Sequence, residues 1–291
     1  MRILVFGGAG MLGHKLVQEL GIEHEVYCTI RGDLESIEKY RIFAPDRIIT
    51  GIDVTNIADT RRAIELSQPG VVINAVGVIK QLPSASDVIT TLSINSIFPQ
   101  RLAELSGEFG FRLITVSTDC VFLGDRGAYS EADPPDALDL YGQSKHWGEV
   151  SEGDCLTLRT SIIGRELGTA HSLIEWFLSN RGGSVRGFSN AIYSGFPTLV
   201  FADIIRDLIS NHTDLRGLYH VSSEPINKFR LLELANAAYS ADIAIDRFEE
   251  FHIDRSLLSD RFRSETGFQP PTWEEMIDRM ASDPTPYDTW R

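Results

Sequence analysis

The chain has 291 residues, 43% of them hydrophobic and 23% charged, the proportions of a soluble globular protein long enough for one large domain and a smaller lobe. Its formal net charge of −14 argues against nucleic acid and anionic membrane as partners, and no apolar run approaches the length of a membrane span. Cys28, Cys120 and Cys155 are far apart and set in strand-like runs, so they read as buried free thiols of a cytoplasmic protein, and neither they nor the histidines show metal-ligand spacing.

The chain opens with an apolar run, Ile3-Leu4-Val5-Phe6, that leads straight into Gly7-Gly8-Ala9-Gly10-Met11-Leu12-Gly13 and then a helix-competent stretch. A strand, a glycine turn and a helix make the first unit of a dinucleotide-binding fold. Gly7 lets the chain turn off the strand, Gly10 lets the backbone approach a pyrophosphate, and Gly13 lets the helix pack closely. The helix start at Met11 and Leu12 offers unpaired N–H groups to the phosphates. Further strands are expected at 25–30, 47–52, 71–76, 112–117 and 155–160, with helices between them at 57–67 and 87–109. The alternation predicts an α/β fold, a doubly wound parallel sheet of Rossmann type over residues 1–163, with ligands outside the carboxyl ends of its strands. Residues 164–291 read as a smaller substrate-binding lobe with helices at 172–180, 200–211 and 229–239, a segment at about 190–221 returning to the sheet, and a loose end at 283–291.

The strand ends carry the candidate cofactor contacts. After the second strand the chain reads Tyr27-Cys28-Thr29-Ile30-Arg31-Gly32, without the acid that binds an NAD ribose; Arg31 there suits the 2′-phosphate of NADP. Asp53 and Val54 fall where an adenine edge would lie, although Asp53 could equally cap the next helix. Asn74-Ala75-Val76 ends the fourth strand in residues that let a cofactor pass, and Lys80 beyond it faces ligand or solvent. Ser117, Thr118, Asp119 and Cys120 end the fifth strand. Tyr141 and Lys145 then stand four apart on one helix face, where an ammonium would lower the phenol pKa and ready Tyr141 for proton exchange, with Ser117 or Thr118 bonding the same oxygen.

These motifs, with Gly148-Glu149 and Leu158-Arg159-Thr160-Ser161, resemble the extended short-chain dehydrogenase/reductase family over nearly the whole chain, and within it the sugar-nucleotide 4-ketoreductases. The resemblance implies Thr118, Tyr141 and Lys145 as the catalytic set, Lys145 and Ser117 beside the cofactor, and NADPH as the reductant with NADH as the alternative. It implies reduction of the 4-keto group of a 6-deoxy sugar nucleotide for polysaccharide precursors; a homodimer is a candidate assembly. Asp119, Cys120, Ile162, Tyr193 and Lys80 fall on the sugar side, where the family pattern has a tyrosine at Cys120 and a tryptophan at Ile162. The smaller residues predict a wider pocket, open to a UDP-linked 2-acetamido sugar, unless Phe122 or Tyr193 refills it and leaves a dTDP-linked substrate. The Asp-Glu pair of the family's dehydratases is missing, because Cys120 follows Asp119. An epimerase and a non-catalytic NADP-binding regulatory subunit remain alternatives.

In the later chain Arg165, Arg181 and Arg186 are candidate cations for a nucleotide diphosphate. Residues 191–198 resemble the segment that family members lay over the sugar. Trp176, Trp273 and Phe229 have the amphipathic spacing of core residues.

Overall fold

Apolar runs become strands buried on both faces when helices cover both sides of a parallel sheet. The computed structural model, which describes residues 1–80 and 86–290, follows that rule. Its strands are β1 (Arg2–Phe6), β2 (Glu25–Thr29), β3 (Ile48–Ile49), β4 (Val71–Asn74), β5 (Arg112–Thr118), β6 (Cys155–Thr160), β7 (Ile162–Ile163), β8 (Ser184–Tyr193), β9 (Phe196–Pro197), β10 (Gly217–His220), β11 (Ile226–Asn227) and β12 (Ala244–Asp254). Seven form a parallel sheet in the order β10-β6-β5-β4-β1-β2-β3, a Rossmann-type arrangement. Within β1, Ile3 and Val5 pack into the core on one face while Leu4 and Phe6 pack into the core on the other. A second sheet, β11-β8-β12, belongs to the later chain, which also sends β10 into the main sheet beside β6.

The helices are α1 (Gly13–Leu20), α2 (Glu35–Glu38), α3 (Ile57–Ser67), α4 (Val88–Leu92), α5 (Phe98–Phe109), α6 (Leu140–Trp147), α7 (Leu173–Leu178), α8 (Thr198–Ser210), α9 (Lys228–Ala238), α10 (Asp260–Thr266) and α11 (Trp273–Ala281). The helix expected at 87–109 is interrupted by a π-helical turn, Ser93–Ile97, between α4 and α5. The third strand is far shorter than expected: it is the sheet edge, entered from a 3₁₀ turn at Pro45–Arg47 and paired only with β2. Helix α3 is capped by Asn56, whose Oδ1 accepts from Ala58 N at 3.1 Å, and not by Asp53.

Residues 283–290 are no loose end. Lys15 and Asp283 form a buried ion pair at 2.5 Å, and Tyr287 is buried; Arg291 lies outside the described residues. Trp273 is core as expected and Phe229 half-buried, but Trp176 is 40% exposed. Among the described residues no helix is long and apolar enough to cross a membrane.

Candidate active site

The glycine turn is as tight as its sequence requires. Gly7 has φ +87°, and a Cβ on Gly13 would lie 2.0 Å from the Gly7 carbonyl oxygen, so helix and turn can touch only through glycine. Gly7 N and Gly8 N donate to Thr29 Oγ1 and Thr29 O, at 3.2 and 2.9 Å, which ties the turn to the end of β2. No side chain caps α1. Gly10 is exposed, Met11 half-buried, and Leu12 packs its side chain into the core, leaving its backbone to the turn. An uncapped helix start on a glycine turn fits a dinucleotide pyrophosphate.

Arg31 and Asp53 are both exposed on adjacent loops, which are joined by Gly51 N donating to Gly32 O at 3.1 Å. Asp53 Oδ1 accepts from Thr55 Oγ1 and Thr55 N at 2.7 and 2.9 Å; these bonds, with the nearby Arg31 guanidinium, hold its carboxyl below the usual range. Val54 packs on the core. Asn74 is committed to the fold: its Nδ2 donates to Thr115 Oγ1 and its Oδ1 accepts from Val76 N, both at 3.1 Å. It therefore shapes the Ala75-Val76 backbone beside the glycine turn, where Ala75 N donates to Phe6 O.

Helix α6 starts where Asp139 caps it, Oδ1 accepting from Gly142 N at 2.9 Å. A Cβ on Gly142 would lie 2.2 Å from the Cys120 carbonyl oxygen, so this glycine lets α6 abut the end of β5. Tyr141 is thereby set beside Thr118, whose hydroxyl favours the phenolate against the other neighbours. Thr118 Oγ1 also accepts from Cys120 N and donates to Asp119 Oδ1, both at 3.1 Å. Lys145 Nζ donates to the Val116 carbonyl at 2.7 Å. The expected lowering of the Tyr141 pKa does not occur: burial, with the neighbouring Cys120, Asp119 and Asp139, raises it, and Lys145 is turned to the β5 backbone. The same burial lowers the Lys145 pKa to about 8, against the opposing Glu149.

Ser117 does not share the Tyr141 oxygen. Its hydroxyl donates to Glu149 Oε1 at 2.7 Å, and Glu149 also takes two 2.7 Å bonds from Arg159 Nε and Nη2. Arg159 continues to His220 on β10, so one buried chain of polar groups crosslinks β5, β6, β10 and the end of α6. Sequence reasoning missed Asn95, which the π-helical turn points inward. It accepts from Val78 N and donates to Val78 O and Ser144 Oγ, pinning the loop after β4 to α6.

On the sugar side, Lys80 Nζ pairs with Asp139 Oδ2 at 2.8 Å and lies 5.6 Å from the Tyr141 ring centroid. Asp119 is buried; burial pushes its carboxyl up, against Arg255 and Thr118. Cys120 is partly exposed, not the buried thiol expected, and its pKa is raised to about 11 by its surroundings and Asp119. Ile162 is half-buried in the β7-β9 pair. Of the two candidates to refill the space beside Cys120, Tyr193 lies close enough to Asp119 to feel its charge. Phe122 is fully buried and stacked on Tyr129 at 4.3 Å, and Tyr193 is buried against Trp273. A neighbour of Cys120 is Arg255, just past β12, whose Nη1 lies 3.6 Å from Cys120 Sγ while Nε donates to Phe122 O at 2.8 Å. With Arg255 and Cys120 135 positions apart in the chain, no local pattern could have announced it.

Of the three candidate cations in the later chain, two are committed to the fold. Arg165 is buried on Glu175 and Asp288, and Arg181 caps the end of α9 through the Tyr239 and Ser240 carbonyls. Arg186 stacks over Phe248. Residues 191–198 are largely buried, Ala191 and Phe196 fully, and within them Tyr193 stands near Asp119.

A family model described as the RmlD substrate binding domain matches residues 1–285. The chain belongs to this family. It is 28% identical to dTDP-4-dehydrorhamnose reductase of Aggregatibacter actinomycetemcomitans, over 77% of this chain and 74% of that one. It is 26% identical to the spore coat polysaccharide biosynthesis protein SpsK of Bacillus subtilis, over 95% of each. Among solved structures, dTDP-4-dehydrorhamnose reductase of Bacillus anthracis in complex with NADP superposes with a TM-score of 0.78 at 23% identity, covering 96% of this chain and 98% of that one. Bordetella bronchiseptica WbmG in complex with NAD and UDP gives 0.77 at 20%, covering 96% and 93%. These likenesses place the RmlD family chain in the Rossmann-type fold described above.

Proposed function

We propose that the protein reduces the 4-keto group of a 6-deoxy sugar nucleotide with NADPH. The observation that carries this reading is the placement of Thr118, Tyr141 and Lys145 at the carboxyl end of β5, one strand removed from the glycine turn at the end of β1. The reductases named among its relatives support it.

Gly7, Gly10 and the backbone of Met11 and Leu12 would hold the pyrophosphate, Arg31 the 2′-phosphate, Asp53 and Val54 the adenine, and Lys145 the nicotinamide ribose. Ala75 and Val76, shaped by Asn74, line the passage between them. A bound nicotinamide supplies the hydride. Tyr141, kept protonated by its surroundings, donates its proton to the keto oxygen as charge develops there, and Thr118 holds the same oxygen. A raised phenol pKa suits the reductive direction, in which the phenol must be a donor. Ser117 acts at one remove, through Glu149.

Lys80, Asp119, Cys120, Ile162, Tyr193 and Arg255 form the sugar side. Because Cys120 and Ile162 are smaller than the aromatics of the family pattern, and Arg255 brings hydrogen-bond donors beside Cys120, a UDP-linked 2-acetamido sugar is a second substrate class beside dTDP-4-dehydrorhamnose. The test is NADPH oxidation against a panel of dTDP- and UDP-linked 4-keto-6-deoxyhexoses. Turnover of at least one is expected; tight NADPH binding with no turnover of any would overturn the reading in favour of a regulatory subunit.

A further inference from the structure

Residues 283–290 lie against the segments that bind the cofactor in the reading above. His14, on the first turn of α1, places Nδ1 2.9 Å from the carbonyl oxygen of Gly10 and Nε2 2.7 Å from the Tyr287 hydroxyl. A carbonyl only accepts, so Nδ1 carries the proton and Nε2 accepts from the Tyr287 O–H. Burial lowers the His14 pKa to about 4, which keeps the imidazole neutral and this direction of bonding fixed at neutral pH. Tyr287 is anchored in turn: its ring lies 4.8 Å from the Arg165 guanidinium, and Arg165 bonds Asp288 and Glu175 at 2.5 Å each. Lys15, the next residue of α1, holds Asp283 and Thr285. Tyr287 also packs with Ile30, Tyr40 and Leu167, and Ala9 and Trp290 lie against that cluster. One segment thus reaches Gly10 of the glycine turn through His14 and shares a cluster with Ile30, the residue before Arg31, against which Ala9 also packs.

We propose that Tyr287 and His14 are positioning residues for the dinucleotide, a brace that fixes the Gly10 peptide where the pyrophosphate must approach it. The inference rests on the cofactor reading above and adds a second layer to it. Neither side chain touches the reacting atoms. Their effect falls on the half of the site shared by NADPH and NADH, which separates it from Arg31.

The test measures Kd for NADPH and for NADH by fluorescence titration of the full chain, without sugar. Tyr287→Phe keeps the ring and loses the hydroxyl; His14→Gln keeps reach to Tyr287 and loses the bond to Gly10. Each is expected to weaken both cofactors about fivefold, the worth of one net hydrogen bond. The double variant should be no weaker than the worse single, because both cut one chain of bonds. An unchanged Kd for Tyr287→Phe together with a lowered Tm would show mere structural support and overturn the brace, and fully additive losses would overturn the relay through His14. A wild-type chain that binds neither dinucleotide overturns the cofactor reading itself, and the brace with it.

Discussion

Raising the pH through 8 should switch the enzyme off without unfolding it. Lys145 is partly buried beside β5, and burial brings its pKa from 10.5 to about 8. With that value, about ten in eleven molecules carry the ammonium at pH 7 and about one in eleven at pH 9, so a step that needs the charge slows about tenfold between them. Tyr141 does not offset this, since its raised pKa keeps the phenol protonated over the whole window. The contribution of Lys145 to stability runs the other way. A lysine whose folded pKa is depressed opposes folding most strongly below about pH 8, and that opposition fades as pH rises toward its unfolded pKa of about 10.5. Activity and this part of stability therefore diverge across the same window. The assay is kcat/KM for NADPH against pH, which reports groups of the free enzyme, with circular dichroism at each pH. A profile flat to about pH 10, or a loss that tracks unfolding, would refute the reasoning.

Arg31→Ala should weaken NADPH by about tenfold to more than a hundredfold and leave NADH nearly unchanged, since a charge-assisted contact to the 2′-phosphate is worth about 1.5 to 3 kcal/mol; equal loss for both cofactors in titrations would make Arg31 a support of the fold. Glu149→Ala strands the buried Arg159 and should cost about 3 to 5 kcal/mol of stability in urea unfolding, whereas a loss under about 1 kcal/mol would mean the pair is better solvated than its burial implies. Cys120→Tyr restores the family's aromatic next to Arg255. It should lower kcat/KM for the UDP-linked 2-acetamido sugar relative to the dTDP sugar, and an unchanged ratio would show that this wall does not set specificity.

What the sequence disclosed follows from how far each feature depends on neighbours in the chain. The glycine turn, Arg31 and the Tyr141–Lys145 spacing are local, and the structure brings Thr118, Tyr141 and Lys145 to one strand end as expected. The electrostatic consequence was not local: the helix face aligns Tyr141 with Lys145, but the Val116 carbonyl takes the ammonium and burial governs the phenol. Arg255, Asn95 and Tyr287 act through partners 17 to 273 residues away, and only the closed fold reveals them. The third strand was overestimated because a β-branched run at a sheet edge looks like one in the centre, yet only Ile48 and Ile49 find a partner. Arg165 and Arg181 looked like ligand cations because a sequence shows charge but not the buried carboxylate or helix end that claims it.

The proton donor is the most direct point of attack. Tyr141→Phe removes one oxygen from a packed helix face, so the chain should fold, and NADPH titration should give a Kd close to wild type. Turnover of the best 4-keto sugar in the panel should then fall by about a hundredfold to ten-thousandfold, the usual worth of general acid catalysis. A Tyr141→Phe enzyme that keeps near wild-type kcat on that sugar contradicts the assignment, and with it the reductase mechanism built on Thr118, Tyr141 and Lys145.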